Sequence, residues 1–277
     1  MSGPESVHRA EAPLRATATG RESLRGASGP LTALDAVAWH DAECGAYVAD
    51  LPLWRRLADV TGSRPARVFD LGAGSGRVSL DLAAHGHAPV AVDRDPRLLA
   101  AVRRRAEVRG LDVETQRADA RAVVTGRPAS LVVAPMQLAQ LMGGTAGRLR
   151  MLRAVAGLLR PGGRAAFALV EAGEMPDGAS DGSASPDILE RDGRHYESRA
   201  VAIWRQPEGW MIERRRSLRV ADRTAQTQTD LTLLDAVTAS ELQDEARSAG
   251  LVPAGIEAVP ASPEHVGSTV CVLERPA

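Results

Sequence analysis

Between Asp70 and Gly76 the chain reads Asp-Leu-Gly-Ala-Gly-Ser-Gly, and Arg77 follows. An apolar run, Val68-Phe69, leads into it, and Val78, Leu80 and Leu82 leave it at helical spacing. That order predicts a buried strand, a tight turn and a helix. Glycines serve where the backbone takes a positive φ or where a ligand must touch the main chain without a Cβ in the way. The free N–H groups of the helix start then face the loop, which suits a nucleotide-like ligand. A dinucleotide fingerprint requires a further glycine three residues after the second, and Arg77 stands there instead. The pattern Asp-x-Gly-x-Gly-x-Gly therefore fits a ligand without a pyrophosphate. Asp93 closes the next apolar run and has the spacing to accept both hydroxyls of a ribose.

Side chains able to move a proton are few. His40 beside Asp41, His195 beside Tyr196, and His265 are the candidate bases, with His40 and His195 carried forward as catalytic candidates. Each has a bland counterpart, a helix-end histidine for His40 and an exposed strand-end histidine for His195. His85 and His87 fall in a turn and read as surface or structural residues. The run Glu213-Arg214-Arg215-Arg216 alternates along a strand and reads as a solvated face, with contact to an anionic substrate group as the lesser reading. Trp204 and Trp210 flank a turn and read as flap core ahead of an aromatic cage for a cationic amine, and Met136 and Met142 read equally as packing or as substrate wall.

These residues need elements to hold them. Residues 1–30 are poor in large apolar side chains, and disorder is expected there. Leu31, Leu34, Val37, Ala38 and Trp39 suggest a first helix; Leu53, Trp54, Leu57 and Val60 suggest a second. Strands then follow at Arg67–Leu71, Pro89–Asp93, Val113–Gln116, Leu131–Pro135 and Ala165–Val170, with helices between them. Repeated strand–helix units of this length predict a parallel sheet covered on both faces, with a ligand crevice at the carboxyl ends of the strands. Residues 173–187 read as a polar loop. Three segments of alternating polarity follow at His195–Trp204, Trp210–Val220 and Thr224–Leu234, predicting an antiparallel flap inserted into the core. A capping-box pattern at Thr238-Ala239-Ser240-Glu241 opens the last helix, and two strands finish the chain. The expected organisation is an N-terminal extension (1–30), helices and ligand-binding core (31–172), flap (173–236), and a closing helix with two strands (237–277).

From about Trp39 to the C-terminus the chain resembles the class I S-adenosylmethionine-dependent methyltransferases. Val-Phe-Asp-Leu-Gly-Ala-Gly-Ser-Gly-Arg is similar to the family's first motif, Val-Ala-Val-Asp-Arg-Asp to its second, and Ala-Asp-Ala around Asp119 to its adenine-contacting turn. Leu-Arg-Pro-Gly-Gly before the fifth strand is a frequent signature of the family. The resemblance implies a Rossmann-like, seven-stranded, mostly parallel α/β sheet whose last strand is antiparallel, and S-adenosylmethionine as cofactor. It also implies roles. Gly72, Gly74 and Gly76, with Ala73 among them, would let the backbone approach the methionine part, and Asp70 would steady the loop and the amine. Asp93 would take the ribose hydroxyls and Arg94 would lie against the adenine. Asp119 would receive the adenine amino group and the Ala120 N–H would reach a ring nitrogen. Ala134, Pro135 and Gln137 would line the path to the methyl group, and Tyr47 and Trp39 would form an aromatic cover.

Composition narrows the acceptor. All 34 basic residues are arginine, and the net charge is −1, so no global field attracts nucleic acid. No basic patch with interleaved aromatics is visible. The two cysteines, Cys44 and Cys271, match no metal or redox spacing, and no metal is expected. No apolar run approaches a membrane span, which leads to an expectation of a cytoplasmic monomer or homodimer. Strand four ends in Ala-Pro-Met-Gln, without the acidic motif of amino-directed DNA methyltransferases. The expected reaction is methyl transfer to N or O of a small metabolite. The alternatives are a protein that binds the cofactor without transferring methyl and, disfavoured by Arg77, an NAD-binding reductase.

Overall fold

Seven strands form one sheet, and four more form a second. The computed structural model describes residues 35–171, 173, 175, 185–221, 225–261 and 265–277. The expected N-terminal extension, Leu31 and Leu34, most of the polar loop after the fifth strand and residues 222–224 lie outside these.

The central strand is β1 (Arg67–Leu71), flanked in parallel by β2 (Ala88–Asp93) and β4 (Ala129–Ala134). β3 (Glu114–Arg117) closes one edge beside β2. On the other side β5 (Leu159–Leu169) pairs parallel with β4 and antiparallel with β11 (Ser268–Glu274), which pairs antiparallel with β10 (Val252–Val259). The chain thus runs outward through β2 and β3, returns, and runs outward again through β4 and β5. The reversal falls between β1 and β4, which places a crevice at their carboxyl ends.

Alternation within the strands divides the core in two. Phe69 and Leu71 of β1 face α5 (Thr145–Leu158) and α6 (Ala239–Arg247), in a cluster with Leu152, Val155 and Leu242. Val68 faces the opposite side, with Trp54 and Leu57 of α2 (Leu51–Asp59) and Leu82 of α3 (Arg77–Ala84). The expected punctuation is present. Asp95 caps α4 (Pro96–Arg109) by accepting the Arg97 N–H at 2.8 Å, Gly110 ends it at φ 65°, and Thr238 and Glu241 form the capping box of α6.

The flap is a separate four-stranded antiparallel sheet, β6 (Asp187–Arg191), β7 (Arg194–Gln206), β8 (Gly209–Val220) and β9 (Gln226–Asp235). Three strands were expected; β6 is the addition. It forms a hairpin with β7 across Asp192-Gly193, and its residues alternate in burial because only one face is covered. β5 also begins earlier than expected. Arg160-Pro161-Gly162-Gly163 does not merely stop α5 but carries the chain along the strand, where Gly162 N–H donates to Arg275 O at 2.8 Å.

The N-terminal segment packs against α4 of the large-sheet layer and against β6 and β7 of the flap. α1 (Ala36–His40) runs into a wider π-helical turn (Asp41–Gly45). Trp39 is 1% exposed and stacks edge-on against Tyr196 of β7 with ring centroids 5.1 Å apart.

Candidate functional site

Along one edge of the large sheet the loops after β1, β2, β3 and β4 come together with the N-terminal turn. After β1, Gly72, Gly74 and Gly76 all hold positive φ, at 66°, 57° and 95°. Neighbours fill the space a side chain would need. A Cβ on Gly72 would meet Leu138 at 3.0 Å, one on Gly74 would meet His40 Nε2 at 1.9 Å, and one on Gly76 would meet Val102 at 2.9 Å. The loop is therefore glycine-rich for packing as well as for backbone conformation.

Beneath the loop lies Asp70, 1% exposed. Its Oδ2 accepts the Ser79 N–H at 3.0 Å and the Ser79 Oγ–H at 2.6 Å, while its Oδ1 is buried without a partner. Burial pushes the Asp70 carboxyl up to about 6, against the opposing pull of Ser79 and Arg77. After β2, Asp93 accepts the Gly74 N–H through Oδ2 at 3.0 Å and the Asp95 N–H through Oδ1 at 2.8 Å. It fixes the glycine loop against β2, and Arg94 beside it is exposed.

After β3, Asp119 is clamped by Arg121 through the backbone N–H at 2.8 Å and the guanidinium at 2.9 and 2.5 Å. The guanidinium, with the Arg121 N–H, holds the carboxyl down at about 2 even though partial burial opposes this. Ala120 next to it is buried. After β4, Ala134 and Pro135 are buried, and Met136 and Gln137 take φ of 52° and 58°. Two consecutive non-glycine residues in the left-handed region mark a strained turn, which sits over the glycine loop through the Leu138 contact.

Arg77 has a role that spacing did not reveal. It turns back to Asp50, with Nη1 to Oδ1 at 2.5 Å and Nη2 to Oδ2 at 2.8 Å, and donates to Tyr47 O at 2.9 Å. Tyr47 is 6% exposed, with the Arg77 guanidinium 5.2 Å from its ring centre and the His265 ring 4.7 Å away. It braces the start of α3 through these contacts.

The N-terminal turn connects loop and flap. His40 Nδ1 lies 3.1 Å from Ser75 Oγ, which donates to Asp41 Oδ1 at 2.6 Å. Asp41 also takes Arg105 of α4 at 2.5 Å and Arg191 of β6 at 2.6 Å. Burial would raise its carboxyl, but Arg105, Ser75 and Arg191 more than offset that and hold it below the usual range. Glu43 grips Arg216 of β8 at 2.6 and 2.8 Å and takes the Ser198 Oγ–H at 2.7 Å. Burial opposes that carboxylate too; Arg216, Arg214 and Ser198 hold it low.

The arginine run on β8 is thus not a plain solvated face. Arg216 lies over Glu43 and also pairs with Asp230, and Arg214 pairs with Asp187 at 2.6 Å. Strand alternation puts Arg214 and Arg216 on the side where the N-terminal turn docks, and Arg215 on the other. At the base of the flap, buried Arg148 joins Asp235 at 3.1 Å to Glu245 at 2.7 Å, and Gln140 donates to Val170 O and Asp235 O.

Not all the expected residues meet. His40 is at the glycine loop. His195 bonds to Glu190 on the flap face opposite Tyr196 and is not brought to the loop. Trp204 pairs with Met211 and Arg205 with Trp210, so the two tryptophans point to opposite faces and form no cage. His87 is 6% exposed and His85 bonds to the Asp81 carbonyl. Burial pushes both cysteine thiols up to about 12, and neither is in a disulfide.

A family model for a methyltransferase domain matches residues 68–163, the span from β1 through β4 to the start of β5. This span is a methyltransferase domain. The chain as a whole has the fold of several solved structures. It is similar to the sugar N-methyltransferase KedS8 from Streptoalloteichus sp ATCC 53650 at 18% identity, with 99% of this chain and 100% of that one covered and a TM-score of 0.70. It is similar also to DesVI of Streptomyces venezuelae at 20% identity, covering 87% and 98%, TM-score 0.67. A third is CalS10, an amino pentose methyltransferase from Micromonospora echinaspora, solved with S-adenosylmethionine bound, at 20% identity, 96% and 100% coverage, TM-score 0.62. No curated protein matches the chain by sequence. The cofactor of this methyltransferase is S-adenosylmethionine, and two observations fit it to the glycine loop. Asp70 Oδ1 is a buried acceptor with no protein donor among the described residues, which leaves it an ammonium to take, and Asp93 sets a carboxylate at the end of β2 beside the glycine loop. No helix among the described residues is long and apolar enough to cross a membrane.

Proposed function

We propose that this methyltransferase transfers methyl to the nitrogen of a small-molecule amine, with an amino sugar as the leading acceptor class. When bound, S-adenosylmethionine supplies an electrophilic methyl carbon on a sulfonium, open to in-line displacement. The chain's contribution is alignment, close approach and exclusion of water, which together account for several kcal/mol of barrier. In this reading Asp93 and the Gly72–Gly76 loop hold the adenosyl amino acid, with Asp119 and Ala120 at the adenine end. Ala134, Pro135 and Gln137 form the floor from which the acceptor approaches. The flap, seated by Asp41, Glu43 and Arg148, closes the chamber from above.

The observation that carries the proposal is the extent of the likeness. It reaches beyond the cofactor core and takes in the flap, covering 99% of the chain against a sugar N-methyltransferase. The charge arrangement agrees. Arg191, Arg214 and Arg216 on the covered face of the flap each hold a carboxylate, which leaves them committed to docking rather than to an anionic substrate. A neutral amine attacks through its own lone pair and needs no strong base, whereas a hydroxyl usually does.

The test is a set of paired acceptors that differ only in carrying an amine or a hydroxyl at one carbon of a sugar ring. Incubation with trideuteromethyl-labelled S-adenosylmethionine is expected to label the amines, with the label on nitrogen by mass spectrometry and NMR. Label on the hydroxyl partners alone would move the assignment to O-methylation. No label on any acceptor, with intact cofactor binding, would favour a protein that binds S-adenosylmethionine without transferring methyl.

A further inference from the structure

His40 covers the glycine loop from the N-terminal side. Its imidazole stands so close over Gly74 that a Cβ there would lie 1.9 Å from Nε2 and 2.2 Å from Cε1. Its other nitrogen is committed. Ser75 gives its single proton to Asp41 at 2.6 Å, so the Ser75 oxygen can only accept from His40 Nδ1, 3.1 Å away. The proton of the neutral ring is therefore on Nδ1, and Nε2 presents a lone pair. Asp41 in turn is held by Arg105 and Arg191, which fixes the ring's orientation from α4 and from β6. Among the described residues no protein donor reaches Nε2.

The charges around the ring define what that lone pair can meet. Asp41 and Glu43 lie on its own segment, Asp93 faces it from the end of β2, and Arg77 faces it from α3. Asp41, Glu43 and Arg77 are each paired with an opposite charge, whereas among the described residues the Asp93 carboxylate accepts only the Gly74 and Asp95 N–H groups, and its unneutralised charge favours a cationic donor. Burial nevertheless holds the imidazole in its neutral form, below its ordinary value. We infer that His40 is a cofactor-positioning contact, whose Nε2 accepts a hydrogen bond from the ammonium group of the amino-acid part of S-adenosylmethionine, above the Gly74 backbone. This rests on the cofactor assignment. It gives His40 a role in holding the cofactor in place of proton removal from the acceptor.

Calorimetric titration with S-adenosylhomocysteine tests it without turnover. His40→Phe keeps a ring over Gly74 and removes the lone pair; His40→Gln retains an acceptor near the position of Nε2. One charge-assisted hydrogen bond corresponds to about 10- to 100-fold in affinity. His40→Phe should weaken S-adenosylhomocysteine by that factor, His40→Gln should recover most of it, and an analogue whose amino group is replaced by hydrogen should bind both variants and wild type alike. Equal affinity of wild type and His40→Phe for S-adenosylhomocysteine overturns the inference. So does an equal loss for the deaminated analogue, which marks a loop-packing role. If wild type itself binds no S-adenosylhomocysteine, the cofactor assignment fails and the inference with it, a result distinct from either of these. Thermal melts of both variants identify any loss that comes from unfolding.

Discussion

Asp70 is the residue at which burial and function are most opposed. It sits under the glycine loop with one oxygen serving Ser79 and the other unpartnered, and burial lifts its carboxyl to about 6 from 3.8. A carboxyl raised on folding leaves the native state its full Asp70 contribution below about pH 4 and takes it away as the pH climbs through about 6. A rise of that size corresponds to about 3 kcal/mol. Asp70→Asn, neutral and of the same shape, should therefore gain on wild type in chemical denaturation as the pH is raised from 5 to 8. Saturating S-adenosylhomocysteine should narrow the gap, because its ammonium compensates the wild-type carboxylate. A gap that stays constant with pH would show that Asp70 does not ionise in this range. The motif spacing disclosed Asp70 and Asp93 because each closes a strand at a fixed distance from the glycines. It did not disclose Ser75, Ser79 or the partners of Arg77, since these depend on which way short polar side chains turn once the loop has formed.

At the scale of elements, the π-helical turn after α1 does the joining. Asp41 and Glu43 lie two residues apart and divide their work: Asp41 ties the glycine loop and α4 to β6, and Glu43 ties the turn to β7 and β8. Removing Glu43's charge leaves Arg216 only Asp230 to pair with among these partners. Glu43→Gln should cost about 1–3 kcal/mol of stability. It should also speed hydrogen exchange in β7 and β8, with β1 and β4 unchanged. Equal acceleration in both sheets would mean that the turn is not the specific tie between them. Little of this was legible beforehand. Ion pairs between residues 43 and 216 leave no periodic trace in a sequence, and the arginine run on β8 looks solvated until the turn is laid across it. The missed strand β6 did leave a signal: Asp192-Gly193 between Leu189-Glu190-Arg191 and Arg194-His195-Tyr196 is a two-residue hairpin turn.

On the scale of the whole molecule the large sheet was legible because local rules suffice for it. Apolar runs ending at Leu71, Asp93 and Ala134, helices with clear stops, and the requirement of right-handed crossovers leave few arrangements. The carboxyl-end edge that results collects Asp70 and Asp93 from the ends of β1 and β2 and Asp119 and Gln137 from the loops after β3 and β4, and the N-terminal turn adds His40 to them. The flap is a different matter, since its strands make a sheet of their own whose docking is settled by side chains from the far end of the chain. The proposed function requires that this edge hold the adenosyl amino acid, with Asp93 at its centre. Titration calorimetry of wild type and Asp93→Ala with S-adenosylhomocysteine, and with NAD as control, tests that most directly. Saturable one-to-one binding by wild type, about 100-fold weaker binding by a folded Asp93→Ala, and no binding of NAD are the expected results. Unchanged affinity in Asp93→Ala, or binding of NAD in preference to S-adenosylhomocysteine, would contradict it.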